Sequence, residues 1–245
     1  MPFSNMMRAS SERTHSRIVL ALDLQDNDRE TLTKKCSNIL ETVAEYICAL
    51  KINRQLVLAL GLPTVSQIVK EAHKQSLPTI MDAKLNDVGH TNSFMMEAYV
   101  GAGFDAVIAS PITGWEGGMD AVFEIARRED RGVLLLVYMS NPGAEQFYAM
   151  ITGDKQRPIF ESFTQLAIDW KADGIVVGAT RPEIIRRARF LAGSAMEIYS
   201  PGVGTQGGDG ERALSNGANY LIVGRTIYGA ESPREAARHL YESLK

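Results

Sequence analysis

What this chain lacks narrows its function first. Its 245 residues hold two cysteines, Cys36 and Cys48, too few for a disulfide framework and not at zinc spacing. Two thiols in a chain of this size suit buried, reduced side chains and a cytoplasmic location. The four histidines, His15, His73, His90 and His239, are scattered, and no pair has the helical spacing of metal ligands. No metal and no other cofactor is expected. No run reaches the ~18 apolar residues of a membrane span, so membrane association is not expected. Net charge is −3, which gives no global basic field for nucleic acid. Aromatics make up 7 % of the chain, and Tyr138, Phe147, Tyr148 and Trp170 do not interleave with basic residues. They read as packing. Arg186, Arg187 and Arg189 share a helical stretch with Glu183 and read as a solvated outer face, and Met95-Met96 as helix packing.

Residues 1–16 lack an apolar core as well. They are polar and serine-rich, with Arg8, Glu12 and Arg13, and do not resemble a secretory signal. They read as a flexible extension outside the fold, with residues 17–245 forming one domain.

Within that domain, short β-branched runs alternate with longer amphipathic stretches. The strand candidates are Ile18–Leu22, Tyr46–Ile52, Thr79–Met81, Ala106–Ser110, Val133–Met139, Gly174–Val177, Glu197–Ser200 and Tyr220–Val223. Helices are expected over Asp28–Val43, Thr64–Lys74, Thr91–Ala102, Glu116–Arg128, Pro158–Trp170, Arg181–Leu191, Gly210–Asn216 and Pro233–Leu244, the last with Ser232 as N-cap. Near-continuous apolar strands alternating with helices mean a parallel sheet. Eight such units without a break favour a closed (β/α)8 TIM barrel, class α/β, over a doubly wound open sheet.

In a barrel of this kind the active site forms at the carboxyl ends of the strands. The polar residues at those exits are Asp23, Lys51, Asp82 with Lys84, Ser140, Pro201 onward and Arg225. Asp82-Ala83-Lys84-Leu85-Asn86-Asp87 is the most informative stretch. Residues two apart on a strand share a face, so Asp82 and Lys84 would stand side by side, with Asp87 in the loop beyond. Such a pair can tune pKa values for catalysis, or can be a rim salt bridge. Lys51 alone reads as a solvated rim charge; beside Asp82 and Lys84 it would help hold Asp82 ionised. Asp23 reads equally as a helix N-terminal acid or a ligand for a sugar hydroxyl. Ser140-Asn141-Pro142-Gly143 is either a turn or a loop that places Ser140 over a ligand.

The stretch Pro201-Gly202-Val203-Gly204-Thr205-Gln206-Gly207-Gly208-Asp209 follows the seventh strand, and Gly224-Arg225 ends the eighth. Loops after strands seven and eight commonly hold phosphate in barrels. Glycines admit close backbone approach to an anion, and arginine offers a bidentate fork.

With these residues in place, the chain resembles the orotidine 5′-monophosphate decarboxylases, in particular their compact archaeal-type form. The resemblance runs from about Arg17 to the C-terminus. It rests on Leu20-Ala21-Leu22-Asp23, Lys51, the Asp82–Asp87 motif with Thr91, Ser140 to Gly143, Pro201 to Asp209, and Val223-Gly224-Arg225. Related 3-keto-gulonate-6-phosphate decarboxylases and hexulose-phosphate synthases share the D-x-K-x-x-D pattern, but they typically carry a glutamate near the end of strand two and use magnesium. This chain has Lys51 there.

The resemblance implies metal-free conversion of orotidine 5′-monophosphate to UMP in pyrimidine biosynthesis, with Lys84 as proton donor. Lys51, Asp82, Lys84 and Asp87 would form an alternating network. Asp23 and Lys51 would bind ribose hydroxyls, Ser140 the pyrimidine, and Gln206 with Arg225 the phosphate, within the loop of Pro201, Gly202, Gly204, Gly207, Gly208 and Gly224. It also implies a homodimer in which Asp87 and Thr91 reach the neighbour's site. Two alternatives stay in view. One is a phosphosugar barrel enzyme, marked by magnesium dependence; the other is a non-catalytic nucleotide-binding barrel, marked by UMP binding without turnover.

Overall fold

The computed structural model describes residues 2–153 and 156–245. Eight parallel strands carry the expected alternation: β1 Ile18–Leu22, β2 Ala49–Asn53, β3 Thr79–Leu85, β4 Ala106–Ala109, β5 Gly132–Tyr138, β6 Gly174–Val177, β7 Glu197–Pro201 and β8 Tyr220–Val223. They close into a barrel in the order β1-β8-β7-β6-β5-β4-β3-β2, the (β/α)8 architecture expected from the sequence. The helices are α1 Phe3–Thr14, α2 Arg29–Val43, α3 Arg54–Leu60, α4 Leu62–Lys74, α5 Gly89–Gly101, α6 Asp120–Arg128, α7 Glu145–Tyr148, α8 Ile159–Asp169, α9 Pro182–Ala192, α10 Gly210–Ser215, α11 Arg225–Tyr228 and α12 Pro233–Ser243. Among the described residues, no helix is long and apolar enough to cross a membrane.

Several boundaries moved for local reasons. β2 starts at Ala49, because Ala44–Tyr46 forms a 3-10 turn. β3 runs on to Leu85, so the acid–lysine motif lies inside the strand. The helix expected over Glu116–Arg128 breaks at Gly117, which sits at φ 67°; α6 proper begins at Asp120. Ser232 does cap α12, its side chain accepting from Glu235 N.

Period-two alternation sorts the strands, with a break in β5 where Val137 and Tyr138 both pack outward at a register shift. Leu20, Leu50, Met81 and Val107 face outward into the layer beneath the helices. Val19, Ala21, Ala49, Ile80, Ile108, Leu134, Leu136, Val176, Tyr199, Tyr220 and Ile222 fill the barrel interior. The inward register continues toward the carboxyl ends as Ala21 then Asp23, Ala49 then Lys51 and Asn53, Ile80 then Asp82 and Lys84. One alternation therefore supplies an apolar floor and a polar mouth.

The first residues overturn their reading as a flexible extension. Apart from Met1, which lies outside the described residues, they form α1 across the amino-terminal end of the barrel. Phe3 and Met7, one helical turn apart, are fully buried within the interior cluster. Gly132 makes room for the ring: a Cβ there would lie 2.6 Å from Phe3 Cβ. Polar side chains bind the helix to the barrel. Ser10 Oγ donates to Cys48 O at 2.7 Å, and Arg8 Nε pairs with buried Glu197 at 2.8 Å. The serines were the reason these residues read as a flexible extension; here Ser10 satisfies a barrel carbonyl.

If α1 seals the barrel floor, Phe3→Ala should lower unfolding free energy by about 3 kcal/mol, typical for a buried Phe. Urea denaturation measures it, and a variant as stable as the parent would show that α1 is not part of the core.

Candidate active site

The inward-facing polar residues of β1, β2 and β3 meet at the barrel mouth. Strand pairing sets Ala21 beside Lys51 and Asn53 beside Asp82. Lys51 Nζ lies 3.0 Å from Asp82 Oδ2 and 3.5 Å from Asp23 Oδ1. Lys84 Nζ lies 2.6 Å from Asp82 Oδ1. The chain thus builds an alternating Asp23–Lys51–Asp82–Lys84 row. The row expected from the sequence ended in Asp87 instead; within one chain Asp23 is the second acid.

Lys51 is 3 % exposed and Asp82 7 %, so both charges have lost most of their water. For Asp82, burial would raise the carboxyl, but Lys51 and Lys84 outweigh it and hold it down to about 2. For Lys51, burial would depress the amine, but Asp82 and Asp23 outweigh it and hold it above the ordinary lysine value. Lys51 and Asp82 both keep their charges because each is matched.

Lys84 sits at φ 50°, in the left-handed region that a lysine rarely adopts. The β3–β4 register shifts between Met81 and Leu85, so Lys84 occupies a bulge that re-aims its side chain. Backbone strain of this kind costs about 1–3 kcal/mol and clusters at functional sites.

A cavity of ≈ 200 Å³ opens above the charged row. Its lining includes Asp23, Lys51, Asp82, Lys84, Ser140, Pro201, Gly202, Gln206, Gly224 and Arg225, residues drawn from six different strand ends. Gly202, at φ 98°, packs on Ser140; a Cβ there would lie 2.9 Å from Ser140 Cβ.

Some expected residues do not line the cavity. Gly204, Gly207 and Gly208 shape the loop instead, and their N–H groups bond within it: Gly204 N to Gly208 O, Gly207 N to Gly204 O, Gly208 N to Gly202 O. They are therefore not anion donors in this conformation, which leaves Thr205, Gln206 and Arg225 as the side-chain donors at that end. Asp87 and Thr91 also lie outside the cavity. Asp87 is exposed, and its Oδ1 accepts from Val88 N at 2.7 Å. Buried Asn92 fixes this turn by donating to Asp87 O at 2.6 Å and Gly118 O at 3.0 Å.

Three polar lining residues were missed in the sequence. Asn53 is two positions beyond Lys51 on the same strand face, a signal that period-two reading could have used. Thr205 lies in the glycine loop. Tyr228 comes from α11, a single turn too short for any periodicity; its hydroxyl approaches Asp23 O at 3.4 Å. Among the described residues, no three His, Cys, Asp or Glu side chains converge as a metal site.

Residues 16–240 match the protein-family model described as orotidine 5'-phosphate decarboxylase / HUMPS family. The chain is 39 % identical over 230 residues to the orotidine 5'-phosphate decarboxylase of Methanosarcina barkeri, covering 94 % of this chain and 95 % of that one. Among solved structures it is similar to Methanocaldococcus jannaschii orotidine 5'-monophosphate decarboxylase complexed with inhibitor BMP: 31 % identity, TM-score 0.79, 94 % of this chain and 99 % of that chain. It is also similar to Leishmania donovani UMP synthase at 25 % identity and TM-score 0.88, covering 100 % of this chain and 56 % of that chain.

The charge pairing has a pH signature. Asp82 is held below the ordinary aspartate value of about 3.9, a difference equivalent to about 2–3 kcal/mol of stability. For a depressed acid that stability is complete above about pH 4 and is lost as pH falls toward 2. Asp82→Asn should therefore be less stable than the parent at neutral pH, and the gap should shrink by about 1 kcal/mol by pH 3. Urea unfolding across this range reads the gap; one that stays constant down to pH 3 would show that the lysines do not hold Asp82 ionised.

Proposed function

The chain belongs to the orotidine 5'-phosphate decarboxylase / HUMPS family, and we propose that its charged row carries out the direct, metal-free decarboxylation of orotidine 5′-monophosphate. The chain is an enzyme of that kind, converting orotidine 5′-monophosphate to UMP in pyrimidine biosynthesis. The observation that carries the residue roles is Lys84 Nζ at 2.6 Å from the buried carboxylate of Asp82.

The C6–carboxylate bond breaks heterolytically, carbon dioxide leaves, and the electron pair remains on C6. Lys84 gives its proton to that carbon, and its ammonium stabilises the developing charge where little water competes. The resulting amine is reprotonated from solvent. Asp82 stands near the departing carboxylate and is relieved of like-charge repulsion as it leaves. Lys51, between Asp23 and Asp82, keeps Asp82 ionised and binds ribose hydroxyls with Asp23. Lysine at this place, where magnesium-using relatives carry an acid, supports the metal-free route. Ser140 contacts the pyrimidine, and Gln206 and Arg225 grip the phosphate. Because the phosphate is remote from C6, its binding energy is available to close the glycine loop over the reacting centre. Buried thiols at Cys36 and Cys48 fit a reducing, cytoplasmic location.

A homodimer completes the site in this proposal, with Asp87 and Thr91 serving the neighbouring chain. Support comes from the surface around them. Val88, Phe94 and Ile112 are exposed by 63 %, 72 % and 49 %, an apolar patch beside an exposed carboxylate that is not engaged by its own lysines. Such a patch marks an interaction surface.

Ultraviolet loss of orotidine 5′-monophosphate with EDTA present tests the reaction. Parent protein should turn over fully, and Lys84→Ala should lose turnover while still binding UMP, which lacks the carboxylate. A strict need for added magnesium would overturn the metal-free route.

Mixing inactive Asp87→Ala and Lys84→Ala proteins tests the shared site. A hybrid dimer has one site with both lesions and one with neither, so partial activity should return. No recovery despite demonstrated subunit exchange would mean that each chain completes its own site.

A further inference from the structure

A second cavity, of ≈ 610 Å³, lies at the opposite end of the barrel between α1 and the strands' amino ends. Its walls are Met6 and Ala9 of α1 and Leu77 and Pro78 before β3. Its charged or titratable groups are Arg13 of α1, Arg131 before β5, and Asp105 before β4 with His73 beside it. We propose that this cleft binds a small organic anion, a phosphomonoester or carboxylate carried on an apolar body.

Charge balance supports an anion. Two guanidinium groups share the cleft with one carboxylate, and that carboxylate is already saturated. Asp105 Oδ2 accepts from Thr79 N at 2.8 Å and Thr79 Oγ1 at 2.9 Å, and lies 2.8 Å from His73 Nε2. Its Oδ1 takes Arg131 at 3.4 Å. Arg131 Nε is nevertheless buried without a partner, a donor whose desolvation an incoming oxygen would offset. Arg13 donates to neutral acceptors, Ser76 O at 3.1 Å and Ser10 Oγ at 3.4 Å. Paired arginine forks suit carboxylate and phosphate oxygens, while the Met6, Ala9, Leu77 and Pro78 walls suit an apolar body. The volume falls within the range of small-molecule sites.

The cleft is separate from the catalytic mouth. Every barrel residue lining it precedes a strand, whereas the catalytic residues lie at strand exits. Its α1 side, Met6 to Arg13, lies outside residues 16–240 that match the family. This chain's own helix therefore builds half of the site, and the inference is independent of the reaction assigned above.

Calorimetric titration tests it, with phenyl phosphate, benzoate and inorganic phosphate added to full-length protein already saturated with UMP. Phenyl phosphate or benzoate should bind saturably and at least tenfold more tightly than inorganic phosphate; whichever is tighter names the head group. Arg13→Gln and Ala9→Trp, both on the exposed side of α1, should each weaken binding at least tenfold with UMP affinity and turnover unchanged. No saturable binding of either aryl anion, or binding indifferent to both substitutions, would overturn the site. Equal affinity for inorganic phosphate would overturn the apolar body.

Discussion

A carboxylate buried between two ammonium groups survives only where every charge around it is matched. Asp82 has Lys51 and Lys84 at 3.0 and 2.6 Å, and Lys51 has Asp23 at 3.5 Å. Breaking such a set by removing one partner strands a buried charge, at a cost of about 3–5 kcal/mol. The two carboxylates and two ammonium groups of this row sum to zero, which is what permits burial at all. The strands then have one task at the mouth: to hold three neighbouring inward positions in register. β1, β2 and β3 do so through uninterrupted parallel pairing from Val19 to Leu22 and from Leu50 to Asn53.

That regularity ends at Lys84. A flawless strand would point its side chain at the angle the pleat dictates. The bulge and the φ of 50° depart from it, and the ammonium lands on the Asp82 oxygen that Lys51 leaves free. The strain is tolerable because Leu85, next in sequence, is anchored outward in the core and Ser110 N bonds its carbonyl at 2.7 Å. At the far end of the cavity the logic is reversed. The glycine loop bonds the N–H groups of Gly204, Gly207 and Gly208 within itself, so the polar side chains at that end, Thr205 and Gln206 of the loop and Arg225 of α11, are what face the cavity.

The parts legible in the sequence were those set by periodicity. Strand runs, their inward positions and the exits bearing Asp23, Lys51, Asp82, Lys84, Ser140 and Arg225 follow from alternation and the barrel rule. Contacts between strands were less visible. Nothing in the sequence distinguishes Asp23 from Asp87 as the second acid beside Lys51, because that depends on which strand ends converge. Single-turn elements such as α11 carry no period, so Tyr228 was hidden. Helix α1 misled for a different reason. Its buried apolar content is two side chains, Phe3 and Met7, inserted end-on into a barrel rather than laid along a groove, so it shows no broad apolar stripe. Its Ser10 reads as solvation when it donates a hydrogen bond to the Cys48 carbonyl of another segment.

Closure of the floor by α1 bears on the mouth through the shared interior. Phe3 and Met7 contact the same cluster that includes Ala21, Ile80 and Ile222, and each of these lies one or two positions below a residue of the active site. Protein interiors are packed densely enough that the lower layers of a barrel fix the height and tilt of the upper ones. The charged row consists of side chains whose separations are already at hydrogen-bond limits, so small shifts in those layers change which oxygen each lysine reaches. The same packing explains why the two ends divide their work. Strand exits, open to the cavity, can tolerate a bulge at Lys84 and a self-bonded glycine loop. The strand entrances are covered by α1, where Glu197, Cys48 and Ser76 are tied to its side chains, and there the chain trades mobility for a fixed base against which the charged mouth is held.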